Sequence, residues 1–324
     1  MSLVEQALKR AKQTGRPLPL AGSEPVAAEG SIPAGVVGVT GRPDEAAGAS
    51  PAAGSSASSG ETTSSLDALP TIEIDADALR RAGYLPPVEQ EREIAEQFRH
   101  IKRPLLARAF GRGAEPVERG RVIMVTSALP GEGKTFCALN LARSLCLEKD
   151  SSVLLIDADT SRPQVTRTLG LQGRAGLVDA LLDPHADIDR LVTLTSLPKL
   201  TVIPAGRPSE TAAELLSSAR MSDILARLTS KDWPNRVVLL DAPPLLVTNE
   251  AKTLVEAAGQ VVLVVRGAST PQSAVLDAIG HLPETKFVGL VLNESETVSG
   301  VGYGYGYYGR MYEYGQDDEE QRGG

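Results

Sequence analysis

The sequence predicts an α/β domain, a mostly parallel sheet with helices on both faces, flanked by an N-terminal linker and a C-terminal tail of different composition. Apolar runs rich in β-branched residues recur from Arg121 onward: RVIMVTS, VLLIDAD, LTVIPAG, RVVLLDA, QVVLVVRG and FVGLVLN. Helical patterns lie between most of them, and such alternation buries both faces of a parallel sheet. The first of these runs also leads through a Gly-rich loop straight into a helix, the arrangement that binds phosphate. The alternation sets the layering but leaves the strand order open.

The elements follow in chain order. Residues 1–17 form a short amphipathic helix, with Leu3, Val4, Ala7, Leu8 and Ala11 on one stripe and Thr14, Gly15 and Pro17 ending it. Its apolar stripe suits docking on the core or on a partner protein, with membrane-surface attachment as the alternative. Residues 18–70 are Ala, Gly, Ser, Pro and Thr, including ASPAAGSSASSG, and read as a flexible linker that cannot bury enough apolar surface to order itself. Residues 71–110 form a helical docking or oligomerisation segment, in which 89–110 is charged and amphipathic and Pro104 is expected to kink or divide the helix. The sheet domain spans 111–296, with helices expected over 134–147, 221–231, 248–258 and 271–282. Residues 297–324 make up the tail, and no repeat of 20–50 residues is present.

Composition narrows the function classes. A net charge of −8 argues against a nucleic-acid partner, because duplex binding rests on a basic face. No secretory signal is expected, since Lys9, Arg10 and Lys12 interrupt the first apolar positions. The longest apolar runs, such as Val261–Val265, fall far short of a bilayer span. Cys137 and Cys146 share one predicted helix and suit neither a disulfide framework nor a metal knuckle. A reduced, cytoplasmic protein is expected.

The chemistry concentrates at the loop Ala128-Leu-Pro-Gly-Glu-Gly-Lys-Thr135, a P-loop with Ala128 where the strict pattern has its first Gly. Pro130, Gly131, Glu132, Gly133, Lys134, Thr135 and Phe136 are the expected nucleotide contacts. Gly131 and Gly133 let backbone N–H groups turn inward around phosphate oxygens. Lys134 supplies a point charge to the β- and γ-phosphates, and the Thr135 hydroxyl can ligate Mg²⁺. The run VLLIDAD ends in Asp157 and Asp159, and RVVLLDAPP carries Asp241. Strand C-termini of a parallel sheet share one edge, so these acids can converge on the same ligand. Asp241 fits the acid that holds the magnesium shell, and Arg162 can stabilise charge in phosphoryl transfer. A turn or helix-cap role is the alternative for Asp157 and Asp159. His100, His185 and His281 are scattered singly and read as ordinary surface or packing residues.

Six of the seven tyrosines, Tyr303, Tyr305, Tyr307, Tyr308, Tyr312 and Tyr314, alternate with glycines near the C-terminus and precede the acidic run Asp317–Glu320. Such a segment has little aliphatic material to bury, and its glycines make ordering costly. The phenols are therefore expected to be presented rather than packed.

These motifs together resemble the bacterial tyrosine kinases of capsule and exopolysaccharide synthesis, close to the exosortase-associated tyrosine autokinases. SALPGEGKT (127–135), LLIDADTSRP (154–163), LLDAPP (239–244), VIPAGRPSETAAELLSS (202–218) and the tyrosine tail carry the resemblance, over roughly 89–314 together with the opening MSLVEQALKRA. It implies ATP- and Mg²⁺-dependent autophosphorylation of the tail, with Asp157, Asp159 and Asp241 around the metal and Asp159 a base. It implies homo-oligomers built on an E-x-x-R-x-x-R motif, matched here by Glu96, Arg99 and Lys102. It also implies a separate membrane-embedded activator of polysaccharide chain length and export, which recruits the chain to the inner face of the plasma membrane. Two positions depart from the family pattern: Ser161 stands where a basic residue is common, and Glu250 where many carry Asp. The rival reading is an ATPase switch of the partitioning or division-site class, but the lysine that class carries early in its P-loop is replaced by Leu129. A small-molecule kinase with a merely sticky tail ranks below both, for want of a substrate-binding insertion.

Overall fold

The computed structural model describes residues 69–267 and 269–294. The expected N-terminal helix, almost all of the linker and the tyrosine tail lie outside the described residues. The element order is β1 (Thr71–Ile72), α1 (Ala76–Arg81), α2 (Glu91–Phe110), β2 (Val122–Ser127), α3 (Lys134–Cys146), β3 (Ser152–Asp157), α4 (Gln164–Thr168) and α5 (Leu177–Leu182). It continues β4 (Thr193–Thr195), β5 (Leu200–Ile203), α6 (Ala212–Leu216), α7 (Ala219–Leu228), β6 (Arg236–Asp241), α8 (Asn249–Ala257), β7 (Gln260–Arg266), α9 (Gln272–Gly280) and β8 (Phe287–Asn293).

One eight-stranded sheet runs β1-β4-β5-β3-β6-β2-β7-β8. Every neighbouring pair is parallel except β4 with β5. The central strands β2 and β6 are buried along their whole length, as expected for strands covered on both faces. Alternate side chains feed two cores. Met124, Leu154, Ile156, Leu240 and Leu263 pack with Leu177, Leu216, Ile224 and Leu254 on one face. Ile123, Val125, Leu155, Leu239 and Val262 pack on the other face with Phe98 and Leu105 of α2 and Leu141 and Leu145 of α3.

The six anticipated strands form within a residue or so of their apolar runs, LTVIPAG stopping at Ile203 before its Pro-Ala-Gly turn. The short strands β1, at the sheet edge, and β4, beside it, lie outside the anticipated set, being too short to show a period. Pro104 does not divide α2, which runs through it as one helix. Both Pro104 and His100, whose carbonyl loses its helical partner, are exposed, so the loss falls on the water side and the core-facing bonds remain. With β1 on the sheet edge and Phe98 of α2 tilted against Phe136 of α3 (ring centroids 6.3 Å apart), segment 71–110 belongs to the same folded unit as the sheet.

Candidate active site

The strand order brings the P-loop and the acids to one edge. β2 sits between β6 and β7, and β6 pairs with β3 so that Asp157 and Asp241 are direct register partners. The P-loop leaves β2 at this same edge and enters α3 at Lys134. Gly131 (φ +82°) and Gly133 (φ +89°) take the left-handed conformations that turn amides inward. Gly133 is doubly constrained, because a Cβ there would meet the Asn293 amide nitrogen at 2.0 Å. Ala128 is fully buried in the core at the position of the strict pattern's first glycine.

The Lys134 ammonium donates to Asp159 Oδ2 at 2.8 Å. Burial alone would lower its pKa, but Asp241, Asp159 and Asp157 outweigh this and raise it. Asp159 Oδ1 accepts from the Arg162 N–H at 3.0 Å, so both Asp159 oxygens are engaged. The Thr135 hydroxyl donates to Asp241 Oδ2 at 2.7 Å. Asp157 Oδ2 accepts from the Thr166 N–H at 2.7 Å and from its hydroxyl at 2.8 Å. Asp157 and Asp241 are wholly buried, and the Oδ1 atom of each has no hydrogen-bond partner. Burial raises the pKa of both above the ordinary carboxylate range. The charge of Asp241 adds to the rise at Asp157, where Thr166 opposes it. Lys134 and Thr135 oppose the rise at Asp241.

Two buried, unpartnered oxygens beside a threonine hydroxyl suit a hard divalent cation with oxygen ligands. No group of three or more His, Cys, Asp or Glu that could hold a metal occurs among the described residues. Mg²⁺ takes one or two carboxylates and completes its shell with water and substrate phosphate, a demand that the two strand-end acids and the Thr135 hydroxyl fit. Thr135, Asp241 and Asp157 are the residues that would hold it.

A cleft of 1310 Å³ opens over the loop. The buried Asp157 and Asp241 lie outside its lining, whereas Pro130, Gly131, Gly133, Lys134, Thr135, Phe136, Asp159 and Arg162 line it. Glu132 does not: it is buried, and its carboxylate accepts from the Leu129 N–H at 2.7 Å and from the Thr270 hydroxyl. Its carbonyl accepts from Asn293 Nδ2 at 3.0 Å. Glu132 therefore turns its side chain away from the phosphates and braces the loop. Thr270, Asn293 and Thr166 had escaped the sequence patterns, because their roles rest on contacts with residues distant in the chain. Tyr84, Ile94, Phe98 and Ile101 also line the cleft, so the segment read as an assembly element supplies one of its walls.

Glu96 and Arg99 pair on the exposed surface of α2 at 2.7 Å, whereas Lys102 points inward. Lys102 is 4% exposed and donates to the Ser144 carbonyl at 2.7 Å near the C-terminus of α3, with Glu148 also at 2.7 Å. Six residues turn an α-helix by about 600°, which leaves Lys102 about 120° around from Glu96. The expected three-residue oligomerisation face therefore lacks its third member. Cys137 and Cys146 are free and buried, and burial pushes both thiols up to about 12, which leaves them unreactive.

A family model described as an AAA domain matches residues 120–277. The tyrosine-protein kinase YwqD of Bacillus subtilis is 30% identical over 213 residues, covering 65% of this chain and 85% of that protein. The chain belongs to the bacterial tyrosine-protein kinase family. A second relative, the succinoglycan biosynthesis transport protein ExoP of Rhizobium meliloti, is 31% identical over 209 residues, 63% of this chain but 25% of that protein. Among solved structures, the kinase domain of the Escherichia coli tyrosine kinase ETK is similar with a TM-score of 0.54 and 26% identity, covering 66% of this chain and 80% of that one. Membership accords with a P-loop sheet whose acids gather at the phosphate edge. Among the described residues, no helix is long and apolar enough to cross a membrane.

Proposed function

We propose that this chain is an ATP-dependent tyrosine kinase that phosphorylates its own C-terminal cluster, Tyr303 to Tyr314, between subunits of a homo-oligomer. The observation that carries the reading is the pair of buried, half-unpartnered acids beside Lys134 and Thr135 in a chain with six tail tyrosines. Lys134 exchanges Asp159 for the β- and γ-phosphates, which frees Asp159 Oδ2 to take a proton. The tyrosine oxygen attacks the γ-phosphorus in line, the bond to the β-phosphate oxygen breaks, ADP leaves, and the phenolic proton passes to Asp159. Bound Mg²⁺ supplies neutralisation of the phosphate charge. Arg162, exposed on the cleft, adds positive charge where the transferred group passes.

Glu96 and Arg99 serve subunit contact, and a membrane-embedded activator of polysaccharide chain length and export recruits the chain to the inner membrane face. Each phosphate adds roughly −1.5 to −2 charges beside the acidic run, so a modified tail is released from the cleft and regulates polysaccharide synthesis. The test is to incubate the purified full chain with ATP and Mg²⁺ and map phosphate by mass spectrometry. Phosphotyrosine within 303–314 is expected, and Lys134→Met abolishes it. ATP hydrolysis with an unmodified tail, even with a membrane activator present, would overturn the kinase reading in favour of an ATPase switch.

A further inference from the structure

Asp157 is held by a residue outside the motifs discussed above. Thr166, in the short helix α4, is buried and touches Asp157 twice through its N–H and its hydroxyl. The same hydroxyl accepts from the Ala205 N–H at 2.9 Å. A backbone N–H can only donate, so Ala205 occupies the hydroxyl's acceptor side and the single hydroxyl proton is directed to Asp157. Both donations fall on Asp157 Oδ2, and Oδ1 is left without a partner. The bonds therefore set which oxygen is consumed by the protein and which is left for a ligand. Ala205 lies in the Pro204-Ala-Gly turn that follows β5, so Thr166 also ties the turn of one strand to the acid of its neighbour.

We propose that Thr166 is a positioning residue that fixes the Asp157 carboxylate with Oδ1 presented to the cation of the bound nucleotide. The proposal rests on the assignment of Asp157 to the metal side of the site. Thr166 belongs to the layer behind the ligating atoms, where losses typically cost about 10- to 100-fold in metal affinity. Thr166→Val keeps the shape and the backbone donor but removes the hydroxyl, while Thr166→Ser keeps it.

The test titrates the full chain with N-methylanthraniloyl-ADP, with Mg²⁺ present and with EDTA. In wild type, Mg²⁺ tightens nucleotide binding. In Thr166→Val this tightening falls by about tenfold or more, metal-free binding stays within twofold, and Thr166→Ser restores the tightening. Full tightening in Thr166→Val overturns the inference while leaving the kinase proposal intact. So does an equal loss with and without metal, or a serine variant that behaves like valine. A wild-type chain with no Mg²⁺ dependence overturns the metal assignment and this inference together. Should the valine variant fail to fold, Thr166→Ala, which sets no second methyl against the acid, carries the same comparison. Tail phosphorylation is not the readout, so failure of the kinase reading is scored separately.

Discussion

Two regions of this molecule bury charge, and they do so on opposite terms. At the phosphate edge, Asp157 and Asp241 sit at neighbouring strand ends, each with one oxygen that nothing in the protein satisfies. On the α2 flank, Lys102 is also buried, yet its ammonium reaches both the Ser144 carbonyl and Glu148. An unsatisfied atom alone does not mark a site: Arg236 Nη1 also lacks a partner, while its guanidinium stacks 3.4 Å from the Trp233 ring centroid. The strand-end pair differs because both orphans carry the same charge and adjoin a lysine and a threonine hydroxyl. Burial of charge that a fold completes is structural. Two like charges left incomplete at one strand edge are a demand for a ligand.

That contrast can be broken by experiment. The largest effect is expected for Asp241→Asn, which should cut tail phosphorylation by about 100-fold or more, because the variant loses a carboxylate that would hold the cation neutralising the transition state. The same substitution removes an unsatisfied buried anion, so the nucleotide-free variant should melt at a higher temperature than wild type. A lower melting temperature would mean that Asp241 stabilises the fold and would erase the distinction.

The pH dependence sharpens the same point. A carboxyl raised in the folded state holds its proton longer there than in the unfolded chain. Stability then falls as pH rises from about 4, the unfolded carboxylate value, through the folded value. Asp157 and Asp241 are both raised, so the nucleotide-free chain should lose stability across that window through this pair. Asp157→Asn should flatten the loss, as measured by urea titrations at successive pH values; an unchanged slope would count against it.

On the flank, Lys102→Met keeps the bulk and strands a carbonyl. It should cost about 1–3 kcal/mol in urea unfolding while leaving ADP affinity unchanged. Weakened nucleotide binding would show that the flank and the phosphate edge are not separate in kind. The smallest effect belongs to Glu96→Ala and Arg99→Ala, an exposed pair whose loss should change stability by less than about 1 kcal/mol. Analytical ultracentrifugation of these variants tests whether that surface holds subunits together.

Much of this was legible in the sequence, for physical reasons that also set the limit. Long β-branched runs reveal strands whatever their neighbours, and a Gly-rich loop between strand and helix reveals a phosphate site. The convergence of Asp157 and Asp241 follows from parallel strands ending at one edge. The sequence could not show that Glu132 turns away from the ligand, because that depends on Thr270, a residue distant in the chain. Lys102 falls on the core-facing stripe, four residues after Phe98 and three before Leu105, but the Ser144 carbonyl and Glu148 that receive its charge are distant in the chain and could not be read from it. Thr166 was invisible for a third reason: its hydroxyl matters through a backbone amide on another strand's turn.

The link from Asn293 to the P-loop has one further consequence. Strand β8 ends at Asn293, whose amide bonds the Glu132 carbonyl and crowds Gly133. The tyrosine segment is thus leashed beside the phosphate loop itself. Tyr303 follows Asn293 by 10 residues and Tyr314 by 21. At about 3.3–3.6 Å per residue, full extension gives leashes of at most about 35 Å and 75 Å. Under the kinase proposal, covalent attachment over so few residues sets the local concentration of each phenol on the order of millimolar. The contacts that recognise each phenol can then be weak individually, and a free peptide copy of the tail would compete only when supplied at a similar concentration.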